Sequence, residues 1–153
     1  MGVIRSYNEV IQPAAEEVNG QMYLQFEFMT YSFKEIKAWQ FAHSFVLQVY
    51  CITRSFPEYE KFGLCSQFQR AAVSIPANIA EGYKKLGKAD KLRFMNIAQG
   101  SLEESRYYII LSKDLGYINE SVFVEMESLI NKTSWYLNAY CKGIMNDNAL
   151  KQQ

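Results

Sequence analysis

Residues Gln67 to Gly82 read QFQRAAVSIPANIAEG, a helical apolar repeat with a proline, Pro76, near its centre. A helix interior normally excludes proline, because one i to i−4 hydrogen bond is lost and the ring clashes with a carbonyl, at about 3 kcal/mol. Keeping Pro76 between Ile75 and Ala77 inside so regular a pattern points to a bend that the fold uses. The carbonyl left without its amide is that of Ala72, and Ser74 or a water is the expected partner for it.

Working outward, the same 3.6-residue period continues on both sides. Toward the N-terminus a first helix spans about Phe33 to Ser55, with Ile36, Trp39, Phe45, Val46, Val49 and Ile52 on one face and Phe41 and Tyr50 widening it. Pro57 ends it, since the residue before a proline resists helical geometry. The proline-bearing helix starts at Phe62 or Leu64 and runs to Lys85, burying Leu64, Phe68, Ala71, Ala72, Ile75, Ile79 and Tyr83.

A third helix covers Lys88 to Asp114 through Leu92, Met95, Ala98, Leu102, Tyr108, Ile109 and Leu115, with Gly116 placed as its C-terminal cap. Asn119 then caps a fourth helix, whose first-turn acid Glu120 suits the helix dipole. That helix reaches Met145 using Val122, Met126, Leu129, Ile130, Thr133, Leu137, Tyr140 and Ile144. Four long helices on short connections predict an all-α, up-down-up-down four-helix bundle over residues 33–146.

Residues 1–32 differ, forming an irregular N-terminal arm, and residues 147–153 form a flexible tail. Pro13 and Asn19-Gly20 break the arm, leaving room for a short helix at Ala14 to Val18 and a short strand at Met22 to Phe28, where apolar and polar residues alternate. A true start codon at Met22 or Met29 would make the arm a translation artefact, a hypothesis that the intact mass of the natively expressed protein decides.

Composition narrows the function. Net charge is zero over 153 residues, which argues against a protein that grips nucleic acid with its whole surface. Cys51, Cys65 and Cys141 are far apart and form no C-x-x-C pair, so a zinc site or redox dithiol is not expected; each reads as a small buried hydrophobe. No signal peptide is visible, and no apolar run approaches the roughly 20 residues of a membrane span. A cytoplasmic setting without membrane contact is expected.

Catalytic constellations are missing from the pattern. The single histidine, His43, has Trp39, Gln40, Val46 and Leu47 at helical neighbour positions, none of them a ligand or an orienting acid. Di-iron bundles need repeated Glu-x-x-His, and phosphate cradles need glycine patterns that do not occur. Neither Ser74, Ser101 nor a cysteine has a base to activate it. No enzyme activity, cofactor or metal is expected. The Asn131-Lys132-Thr133 sequon lies mid-helix in a chain without a signal and carries no weight.

Polar residues on the proline-bearing helix form the first candidate site. Arg70, Ser74 and Asn78 are four apart, and Glu81 follows three later, so all four are read as one network fixing helix register or a subunit contact. Gly100-Ser101, in the middle of the third helix, lowers helix propensity by about 1 kcal/mol. It allows another helix to approach closely, within the bundle or between subunits.

Charge gives the second. Lys84, Lys85, Lys88, Lys91 and Arg93 stand against the single acid Asp90, whereas Glu103, Glu104, Asp114, Glu120, Glu125 and Glu127 stand against Arg106 and Lys113. A basic end and an acidic flank follow, the former a phosphate-contacting patch for RNA or DNA with Tyr83 beside it to stack on a base.

The runs Phe56-Pro57, Gly63-Leu64, RAAVSIPANIAEG (Arg70 to Gly82), FMNIAQGSLEE (Phe94 to Glu104) and DLGY (Asp114 to Tyr117) resemble the bacterial four-helix-bundle family encoded by intervening sequences of 23S ribosomal RNA genes, called S23. The resemblance covers about Phe33 to Ile144. It implies a ring-like homo-oligomer, typically a pentamer. The accessory variability protein of diversity-generating retroelements is similar, and it implies binding to nucleic acid and to a partner reverse transcriptase through basic surface. This chain departs from that protein in being neutral overall, and its N-terminal arm is not part of the family pattern. The sequence expectation is a non-enzymatic oligomer binding structured nucleic acid at the second–third helix junction, the alternative being a protein-interaction scaffold such as a reverse-transcriptase accessory subunit.

Overall fold

Proline and glycine divide the chain into helices that turn back on one another. The computed structural model describes residues 31–146, so the expectations for the arm and for the tail lie outside the described residues. Four helices follow in order: α1 (Lys37–Thr53), α2 (Leu64–Lys84), α3 (Lys88–Asp114) and α4 (Glu120–Asn146), with 3-10 turns at Phe33–Glu35 and Glu58–Glu60. Each packs on its chain neighbours and α1 closes the square against α4. The result is the expected all-α, up-down-up-down bundle.

The first helix starts later than its periodicity suggests. Ile36 is extended (φ −69°, ψ 119°) and separates α1 from the 3-10 turn, which the Ser32 hydroxyl caps by accepting from the Lys34 amide. Burying Ile36 in the core outweighs continuing the helix through it. At the far end the Thr53 hydroxyl donates to the Val49 carbonyl and accepts from Gln69 Nε2, both at 2.8 Å, which ties the end of α1 to α2.

Helix ends are satisfied locally, as isolated helix termini require. Gly116 adopts φ +74°, and the Gly116 and Tyr117 amides donate to the Lys113 and Ser112 carbonyls, both at 2.9 Å. These two bonds form a Schellman closure of α3. The Asn119 side chain then accepts from the Val122 amide at 2.9 Å, opening α4 as expected.

Phe45, Phe68, Ile75, Ile79, Met95, Leu102, Ile109, Met126, Ile130 and Leu137 are fully buried. Each contributes roughly 1.5–3 kcal/mol over exposure. Two expected core residues are on the surface: Tyr50, and Leu115, which sits in the turn past α3. Cys51, expected buried, is exposed, because Val49 and Ile52 take the inward positions on either side of it.

Helix α2 runs unbroken through Pro76, whose ring is itself buried. At Gly82 α2 approaches α3 closely: a Cβ there would overlap Met95 Cε and lie 2.9 Å from Phe94 Cβ. Gly100 is its opposite, exposed, with nothing within 4 Å of where a Cβ would stand. Of the two close approaches its sequence allowed, the one within the bundle does not occur.

Candidate nucleic-acid interface

Antiparallel topology gathers the start of α1, the end of α2, the start of α3 and the end of α4 at one end of the bundle. Lys34, Lys37, Lys84, Lys85, Lys88, Lys91, Arg93 and Lys142 collect there against Glu35, Glu81 and Asp90. Leu86, at the tip of the turn, is fully exposed. The segregation read in the sequence is therefore a property of one end of the folded molecule.

Several of these cations have structural partners. The Lys91 ammonium donates to the Tyr83 carbonyl at 2.7 Å, and that of Lys88 donates to the Met145 carbonyl. Both acceptors lie in final helical turns, where carbonyls lack amide partners and the helix dipole attracts positive charge. Burial holds the Lys91 ammonium below the usual lysine pKa. Lys85 pairs with Glu81 at 3.3 Å and lies over the Phe94 ring, while Arg93 pairs with Asp90 at 3.6 Å. Lys84 and Lys142 make no ion pair among the described residues, and both are exposed. Tyr83 is half-buried against the core, its ring flanked by the Lys84 and Lys91 ammonium groups, each 5.7 Å from the centroid.

The four-residue network expected on α2 divides in two. Ser74 and Ser101 share a hydroxyl–hydroxyl hydrogen bond of 2.8 Å between α2 and α3, and Asn78 Nδ2 donates to Ser74 Oγ (3.0 Å) and to the Ser74 carbonyl (2.7 Å). Arg70 and Glu81 do not join; both are exposed, and Glu81 is held by Lys85. At about 100° per residue each i to i+4 step rotates some 40°, so Ser74 and Asn78 turn toward α3 while Arg70 and Glu81 remain on the solvent side. The sequence named Ser74 and Ser101 separately; only the α2–α3 register pairs them.

The opposite end is locked by polar contacts that sequence reasoning missed. Glu60 accepts from the Leu64 amide (3.0 Å) and from the Tyr117 hydroxyl (2.9 Å), and Tyr59 and Tyr117 share a 3.1 Å hydroxyl contact. The Tyr59 contact first, then burial and Glu60, raise the Tyr117 phenol far above its usual value. Arg106 bridges the acidic flank, pairing with Glu103 (3.3 Å) and Glu127 (3.9 Å).

Val73 on α2 and Ile97, Tyr107 and Ile110 on α3 are exposed apolar residues, and the space at Gly100 is open. His43, the lone histidine, is exposed and stacks on Trp39 at 5.0 Å. Among the described residues no group of three or more His, Cys, Asp or Glu is placed to hold a metal, and no helix is long and apolar enough to cross a membrane.

Comparison with known proteins places the fold. The profile of the 23S rRNA-intervening sequence protein family matches residues 34–139. A solved structure of a protein with unknown function from the S23 ribosomal protein family of Bacteroides thetaiotaomicron VPI-5482 superposes with a TM-score of 0.63 at 22% identity, covering 69% of this chain and 98% of that one. No curated protein matches the chain.

Proposed function

Because the chain belongs to the 23S rRNA-intervening sequence protein family, we propose that it is a non-enzymatic, homo-oligomeric bundle that holds structured nucleic acid electrostatically at its basic end. The observation that carries this reading is the gathering of Lys84, Lys85, Lys88, Lys91, Arg93 and Lys142 where three helix ends meet, on a chain of zero net charge. Lys84, Arg93 and Lys142 are the exposed phosphate contacts. Lys88 and Lys91 hold helix carbonyls and shape the surface from which the others project.

Self-association supports the reading, since repeating a modest patch multiplies a weak contact. Exposed apolar side chains on α3, Ile97, Tyr107 and Ile110, are available for it. Light scattering is expected to give a multiple of the 17.8 kDa chain mass, and a ring of five is the expected stoichiometry.

Fluorescence anisotropy with a labelled RNA hairpin tests the reading. Three phosphates engaged per chain give an affinity loss of roughly 20- to 40-fold between 50 and 200 mM salt. Lys84→Glu with Arg93→Glu is expected to flatten that dependence while leaving the helical signal intact, because neither side chain holds a helix end. Salt-insensitive binding, or binding unchanged in the double variant, refutes the electrostatic reading and favours a scaffold that meets only proteins.

A further inference from the structure

Between α3 and α4, directly beside the basic end, lies an open groove of about 460 Å³. Leu92, Asn96 and Gln99 line it from α3 at i, i+4 and i+7, and Asn138, Lys142 and Met145 line it from α4 at the same steps. Its volume falls within the range of small-ligand sites, which pair apolar walls with a few placed polar groups. We propose that this groove receives an unpaired base of the bound RNA, an inference that rests on the nucleic-acid reading above and assigns its base-contacting part.

The amides are arranged for it. Gln99 Nε2 donates to Asn138 Oδ1 at 2.7 Å. That bond fixes both side chains and leaves Gln99 Oε1 as an acceptor and Asn138 Nδ2 as a donor on the groove wall. Asn96 offers a second acceptor–donor pair and makes no hydrogen bond among the described residues. Acceptor and donor side by side are what an adenine edge meets in amide recognition. Leu92 and Met145 give the base faces apolar walls.

Charge selects the ligand. No acid lines the groove, Lys142 stands on its rim, and Lys88 meets its end through the Met145 carbonyl. Helix α4 carries no acid from Ser128 to Asn146, and α3 carries only Asp90 from Lys88 to Leu102. An anionic backbone is therefore drawn along the rim while its base turns inward. Base-paired edges cannot enter a recess between two helices, whereas bases splayed from a loop can, which is how proteins read RNA sequence.

The test compares three probes of one length: an RNA hairpin with an adenine loop, a blunt RNA duplex, and the DNA version of the hairpin. The full chain is expected to bind the RNA hairpin about tenfold more tightly than the duplex. Gln99→Ala with Asn138→Ala is expected to cut that preference to about twofold, with duplex affinity and its salt dependence unchanged. Both positions lie on helices where alanine is well tolerated, and the circular dichroism of the variant verifies its folding. Hairpin preference retained in the variant, or absent from the parent while duplex binding stays salt-sensitive, overturns the groove and leaves the basic end standing. Equal binding of the DNA hairpin overturns the assignment to RNA. Failure of all three probes to bind removes the basic-end reading itself, and the groove with it.

Discussion

Gly82 and Gly100 invite the same substitution and should answer it with opposite signs. Alanine gains about 1 kcal/mol over glycine inside a helix, at either position. At Gly100 nothing opposes that gain, since the space around its Cα is open to 4 Å. At Gly82 the new methyl would overlap Met95 Cε and press to 2.9 Å on Phe94 Cβ. The Met95 terminus swings aside readily, but Phe94 Cβ is fixed by the backbone of α3, so the helices must separate. Overpacking of this kind costs about 1–3 kcal/mol. Gly82→Ala is thus expected to lose up to about 2 kcal/mol net and Gly100→Ala to gain up to about 1. Because the propensity contributions cancel, the difference between the two variants isolates the packing cost. Urea denaturation followed at 222 nm, both variants at one protein concentration, measures it. Equal shifts in the two variants would refute the claim that α2 and α3 are in close contact at Gly82.

Two further outcomes follow from buried groups. Burial raises the Cys65 and Cys141 thiols above their usual value, so at any pH below it each carries less thiolate, and labelling by a maleimide should shift to higher pH at both; exposed Cys51 should react first at neutral pH, and equal rates at Cys51 and Cys65 would contradict the packing of α1 on α2. Ser105 is fully buried, and its hydroxyl has no partner among the described residues; since such a group costs about 1–3 kcal/mol, Ser105→Ala should leave the unfolding midpoint unchanged or raise it, and a clear drop would reveal an acceptor.

Helix positions and most inward faces were legible because the apolar period of 3.6 and the punctuation by Pro57, Gly116 and Asn119 are local signals. The family was legible from one long motif around Pro76. What failed was decided by a neighbour on another helix. The extended Ile36 is invisible to periodicity, because its core contact lies elsewhere in the chain. Arg70 and Glu81 joined Ser74 and Asn78 by spacing alone, and only the α3 surface, through Ser101, separates them. The lysines were legible as charge. That Lys88 and Lys91 hold the last carbonyls of two helices depends on which ends the topology brings together. The α3–α4 groove left a faint trace, amides at Asn96, Gln99 and Asn138 on otherwise ordinary surface faces, with nothing in the linear order to join them.

A molecule whose charges sum to zero scarcely migrates in an electric field, yet one with its cations gathered at a single end is turned by it. In an antiparallel bundle the helix dipoles largely cancel, so the charge asymmetry of the described residues comes from their side chains. If the proposed nucleic-acid binding holds, then within a Debye length of about 8–10 Å a polyanion would turn the lysine-bearing end toward itself before contact is made. The sequence pI near 6.6 describes how the protein focuses in a gel and says nothing of this asymmetry between the two ends of the bundle.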